Sequence, residues 1–121
     1  MVKVLNCACD AELLELRAAL LRAHGCEVVS AESPEDALLQ MQDSDRFDVL
    51  LLCYDMDAQK ARCVSQCFRH KYPRGKIIGI AFSYSDSDAI PTDKTISAHD
   101  PDAMVEAVTT QWSPVEPIRS S

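Results

Sequence analysis

Apolar positions along this chain switch between a two-sided run and a helical repeat, and the switches divide it into alternating strands and helices. Val2 to Cys7 is apolar-rich, with Lys3 near its start, and predicts a first strand. Asp10 and Glu12 then lead into Leu13, Leu16, Leu20 and Leu14, Ala18, Leu21, a helical stripe wide enough to cover one face of a sheet. Asp10 suits the N-cap of that helix and Gly25 its C-terminal cap, after which Cys26 to Ser30 makes a short second strand. Ser33-Pro34-Glu35-Asp36 reads as a helix start, with Ser33 capping, Pro34 in the first helical position and the acids complementing the dipole. Ala37, Leu38 and Met41 form the short apolar face of this second helix.

Phe47 to Asp57 carries the longest uninterrupted signal. Val49 to Cys53 is wholly apolar between Asp48 and the pair Asp55 and Asp57, which predicts a strand buried on both faces at the centre of a parallel sheet. A helix follows from about Ala58 to His70, with Ala61, Val64 and Phe68 inward, then a turn at Tyr72-Pro73-Arg74-Gly75 and a fourth strand at Lys76 to Ala81. Phe82 to Asp93 has no apolar stripe and reads as loop with at most one helical turn. Lys94 to Ser97 is a fifth strand, and Asp100-Pro101-Asp102 opens a last helix with Val105, Val108 and Trp112 on its inner face. The expected organisation is one domain over residues 1–112 and a polar, proline-bearing tail over 113–121, expected to be disordered. Its fold class is a doubly wound, flavodoxin-like three-layer α/β/α sandwich of strand order 2-1-3-4-5 with right-handed crossovers. Such sheets place ligands beyond the carboxyl ends of their strands, which draws attention to Cys53.

Composition narrows the partners. A chain of 121 residues is long enough to bury a core without disulfides or structural metal, and its 47% hydrophobic and 26% charged residues are those of an ordinary globular protein. A net charge of -7 repels duplex nucleic acid and anionic membrane and points instead to a protein partner, or a basic patch on one. The first residues enter a strand directly and lack a signal-peptide core, and no apolar run approaches membrane-spanning length, so a cytoplasmic location is expected. The six cysteines, Cys7, Cys9, Cys26, Cys53, Cys63 and Cys67, are then expected to be reduced thiols.

The residues resemble one family, the CheY-like receiver domains of two-component response regulators, over nearly all of 2–112. The likeness is strongest in Asp10 to Ala31, in Ser33-Pro-Glu-Asp-Ala-Leu38, and in Phe47-Asp-Val-Leu-Leu-Leu52 running to Met56, with Asp100-Pro101 matching the start of the last helix. The resemblance implies a phosphoacceptor aspartate where Cys53 stands and a Mg²⁺-binding acidic pair where Ala8 and Cys9 stand. It also implies a hydroxyl residue at Ala81, a lysine at Ser97 followed by proline at Ala98, and an aromatic switch residue at Lys94. The connection from Ala81 to Ser97 is shorter than in typical receivers by more than one helical turn, so the fourth helix is expected to be cut down or absent. The chain thus resembles the pseudo-receivers, which keep the scaffold and work by constitutive protein contacts.

Other chemistry is sparse. Asp10, Asp55 and Asp57 remain near the carboxyl edge as a residual acidic site for a divalent cation or phosphoryl group, or else as helix caps and loop residues. Cys9 and Cys53 fall together in the vacated acid pocket, which raises a second reading: a thiol-based redox or soft-metal sensor with Cys7 or Asp10 nearby. Cys63, Cys67 and His70 share one stripe of the third helix but lack a fourth ligand, and packing at the helix boundary is the simpler expectation. His24 and His99 carry no assigned chemistry. Without a glycine-rich phosphate loop or a base beside Cys53, no enzyme activity, cofactor or resident metal is expected. The function expected first is a stand-alone, phosphorylation-independent interaction module in signal transduction, with its partner surface around Phe82 to Asp93, the fifth strand and the last helix. A third possibility is small-ligand binding in the vacated pocket, which requires an apolar cavity.

Overall fold

The computed structural model describes residues 1–82 and 92–110. Within them the chain runs β1 (Lys3–Cys7), α1 (Ala11–Ala23), β2 (Glu27–Ala31), α2 (Pro34–Asp43), β3 (Val49–Cys53), α3 (Ala58–Lys71), β4 (Lys76–Ala81), β5 (Lys94–Ser97) and α4 (Pro101–Thr109). The five strands form one parallel sheet of order β2-β1-β3-β4-β5, as the alternating pattern predicts. Register follows from the apolar runs: Val4 pairs with Val49 and Val28, Leu52 with Gly79, and Ile80 with Cys53 and Ile96. All five β3 residues are buried, so β3 is the doubly covered centre of the sheet.

The helices begin and end where local chemistry requires. Asp10 accepts from the Glu12 and Leu13 amides at 2.9 and 3.3 Å, Ser33 from the Asp36 amide, Asp57 from the Lys60 amide and Asp100 from the Ala103 amide. At the end of α1, Gly25 adopts φ 87°, its amide donates to Arg22 O, and the Cys26 amide reaches back to Leu21 O at 3.1 Å. This pair of hydrogen bonds is a Schellman closure, and it places Cys26 with Leu21 in the same core.

Two cores flank the sheet. One, under α2 and α3, holds Leu5, Leu50, Leu52, Phe47, Phe68 and Tyr72, with the Phe47 and Tyr72 rings edge to face at 5.6 Å. The other, under α1 and α4, is aliphatic and holds Val4, Leu21, Val49, Leu51, Ile78 and Ile80. Two helix faces differ from the sequence expectation. In α1 the expected Leu14-Ala18-Leu21 row is buried together with Arg17, while the accompanying Leu13-Leu16-Leu20 row is rotated toward solvent, with Leu16 68% exposed. The inner face of α4 is Met104, Ala107 and Val108, with Val105 only partly buried. Trp112, the tail 113–121 and most of the segment in which the fourth helix was expected to be shortened lie outside the described residues. Among the described residues no helix is long and apolar enough to cross a membrane.

Candidate functional site at the carboxyl edge of the sheet

The strands end together at one edge, and the loops beyond them bring most of the sequence-predicted site residues into one neighbourhood. Ala8 and Cys53 are fully buried and form a small apolar cluster with Leu14 of α1. Ala81 is 8% exposed and its carbonyl accepts from the Ala98 amide at 2.8 Å. Ser97 is exposed and its hydroxyl accepts from the His99 amide at 3.1 Å. Lys94, opposite Ile78, is also exposed.

The remaining acids are already engaged. Asp55 accepts from the Cys9 amide at 3.0 and 3.1 Å and from the Asp10 amide at 2.9 Å, which ties the loop after β3 to the loop after β1. Asp10 turns away to cap α1, and Asp57 caps α3. Each carboxylate is therefore held by backbone N–H groups, and among the described residues no group of three or more His, Cys, Asp or Glu is placed to hold a metal ion.

The structure does not support the thiol-pair reading. All six cysteines are free; Cys9 is exposed on its loop while Cys53 faces the core. Burial pushes the Cys7 thiol up to about 12, aided by the charges of Cys9, Asp55 and Cys53. Burial also raises the Cys53 thiol, against the opposing pull of Arg17, and burial with the Asp55 charge raises Cys9. Buried thiols held up in this way, as at Cys7 and Cys53, stay protonated and inert near neutral pH. Cys63, Cys67 and His70 are exposed on the solvent side of α3 rather than packed at its boundary, since Ala61, Val64, Ser65 and Phe68 take the inner stripe.

Two polar residues that the strand and helix patterns conceal stand at the centre of this edge. Asn6 of β1 is fully buried, and its amide donates to Leu14 O at 3.0 Å, which fixes α1 over the strand. Arg17 of α1 is only 7% exposed, and neither of its terminal guanidinium nitrogens has a hydrogen-bond partner. Its charge lies close enough to Cys53 to oppose the rise of that thiol. The signal for Arg17 was its place in the 14-17-18-21 row, the tightest helical stripe in the first helix. At this edge the buried cation thus comes from α1, while the position at which the receiver resemblance implies a lysine, Ser97, is neutral.

No protein-family model matches the chain, and no curated protein matches it. Among solved structures it is similar to a response regulator of Thermotoga maritima in complex with Mg²⁺–BeF, at 24% identity and TM-score 0.74, covering 89% of this chain and 96% of that one. A response regulator receiver domain of Clostridium thermocellum superposes with TM-score 0.79 at 16% identity, covering 89% of this chain and 91% of that one. A Burkholderia pseudomallei response regulator with a phosphorylated aspartic acid, a calcium ion and citrate gives TM-score 0.78 at 13% identity, covering 91% and 68%. The strand order, the crossovers and these superpositions agree: the chain has the CheY-like receiver fold.

Proposed function

We propose that this chain is a pseudo-receiver: a phosphorylation-independent protein-interaction module of two-component signal transduction, with no catalytic role of its own. The observation that carries this reading is the chemistry of the strand ends. Positions 8, 9, 53, 81 and 97 hold Ala, Cys, Cys, Ala and Ser, and the nearby carboxylates of Asp10 and Asp55 are occupied by backbone N–H groups. A phosphoryl group arriving here meets neither an acceptor carboxylate at the end of β3 nor an acidic pair to hold Mg²⁺. With the transfer chemistry gone, what the fold retains is surface. The face around the segment from Phe82, β5 and α4 is the partner surface in this reading, and the chain's negative charge suits a partner with a basic patch. Incubation with acetyl phosphate and Mg²⁺ followed by intact mass tests the reading. The expected result is an unmodified mass, and a stable phosphoryl adduct would sink it.

A further inference from the structure

Three of the six thiols are exposed, and two of them belong together. Cys63 and Cys67 stand four residues apart on α3, one turn of the helix, on its solvent side and clear of the inner stripe of Ala61, Val64, Ser65 and Phe68. The third, Cys9, stands alone on the loop after β1. Helix geometry decides what the pair can hold. Residues four apart on an α-helix keep their Cβ atoms about 5 to 6 Å apart, whereas a disulfide draws its two Cβ atoms to about 3.5 to 4.5 Å. Direct oxidation would strain the middle of a 14-residue helix, and an atom inserted between the two sulfurs relieves the mismatch. A tetrahedral metal ion is the wrong insert. Structural zinc takes four protein ligands, and among the described residues no group of three or more His, Cys, Asp or Glu is placed to hold a metal ion, even with His70 one turn beyond Cys67. What fits is a soft centre that asks the protein for two sulfurs and brings its third substituent with it.

We propose that Cys63 and Cys67 form a chelating dithiol site for monosubstituted trivalent arsenicals. With phenylarsine oxide the reaction is a condensation. Two As–S bonds form, the bond from arsenic to oxygen breaks, and the oxygen leaves as water with the two thiol protons. Arsenic stays trivalent and keeps its phenyl group, so neither oxidant nor reductant takes part. The second As–S bond closes within one molecule at high effective concentration, which favours the pair over a lone exposed thiol such as Cys9.

The test incubates the full chain, with its thiols reduced, with phenylarsine oxide and reads intact mass under non-denaturing conditions. One adduct is expected, heavier by phenylarsine oxide less one water, removed by ethanedithiol and retained against the same concentration of mercaptoethanol. Cys63→Ser and Cys67→Ser lie on an exposed face where substitution barely changes stability, and each should weaken binding at least about a hundredfold. Cys9→Ser should bind as the wild type does. The proposal is overturned if the native wild type takes no adduct, if either α3 variant binds as well as the wild type, if Cys9→Ser loses the adduct, or if the monothiol strips it as readily as the dithiol.

Discussion

The two edges of this sheet treat their least exposed charges differently. At the amino edge the charges answer one another. Asp48 accepts from the Lys3 amide and from the Arg46 guanidinium, both at 2.8 Å, Arg46 also donates to Met1 O, and the Lys3 ammonium donates to Ser44 Oγ at 2.8 Å. The Lys76 ammonium reaches Thr110 O at 2.6 Å and fastens the end of α4 to the start of β4. At the carboxyl edge Lys60 and Glu35 form an exposed pair at 3.2 Å, the carboxylates of Asp10, Asp55, Asp57 and Asp100 serve backbone N–H groups, and the terminal nitrogens of the buried Arg17 have no hydrogen-bond partner. The first edge holds a fold together. The second leaves the terminal nitrogens of a buried guanidinium without a hydrogen-bond partner, an arrangement that stability does not favour.

Removing the charge of Arg17 and that of Asp48 should therefore have opposite signs. The largest effect is expected at Arg17: in ligand-free protein, Arg17→Met should raise unfolding stability by about 2 kcal/mol in urea, since an aliphatic chain of similar length replaces an uncompensated buried charge. A loss of stability would mean that Arg17 is paired after all, and the contrast would fall.

A smaller and opposite effect is expected at Asp48. Burial works to raise its carboxyl, but the Arg46 guanidinium and the Lys3 amide prevail and hold it below the usual carboxylate range. A depressed carboxyl contributes stability that is present above its unfolded value and is lost as pH falls through the folded one. Asp48→Asn should thus cost about 1 kcal/mol at neutral pH, a figure kept small because the side chain is 37% exposed and screened by solvent. The difference between variant and wild type should shrink below about pH 4, and a difference independent of pH would detach the effect from ionisation.

Much of the architecture was legible in the sequence because it rests on local chemistry. Asp10, Ser33 and Asp100 each cap a helix, Gly25 closes α1, and Val49 to Cys53 announces a strand covered on both faces, whereas Asp57, expected in a loop, caps α3. The strand-end positions Ala8, Cys53, Ala81 and Ser97 could likewise be placed by the order of the runs. What the pattern hid was which side of a helix faces inward when apolar residues outnumber the inner positions. Leucines at 13, 14, 16, 20 and 21 make the apolar stripe of α1 wider than its inner face, and that width concealed Arg17 between Leu14, Ala18 and Leu21. Asn6 was hidden for a similar reason. One polar residue in an apolar strand run looks like noise until Leu14 O and Ser30 Oγ are found beside it. The second reading, a Cys9–Cys53 pair, joined positions that are neighbours in the loop plan but on opposite sides of the boundary between core and solvent.

Whether the carboxyl edge has given up receiver chemistry is tested most directly by titrating the protein with Mg²⁺ while following the amide signals of Cys9, Asp10 and Asp55. Because the Asp55 carboxylate is bound by the first two of those amides, millimolar Mg²⁺ should leave all three signals in place. A saturable shift confined to these residues, abolished in Asp55→Asn, would show that the acids can release the backbone to hold a metal and would contradict the loss of that chemistry.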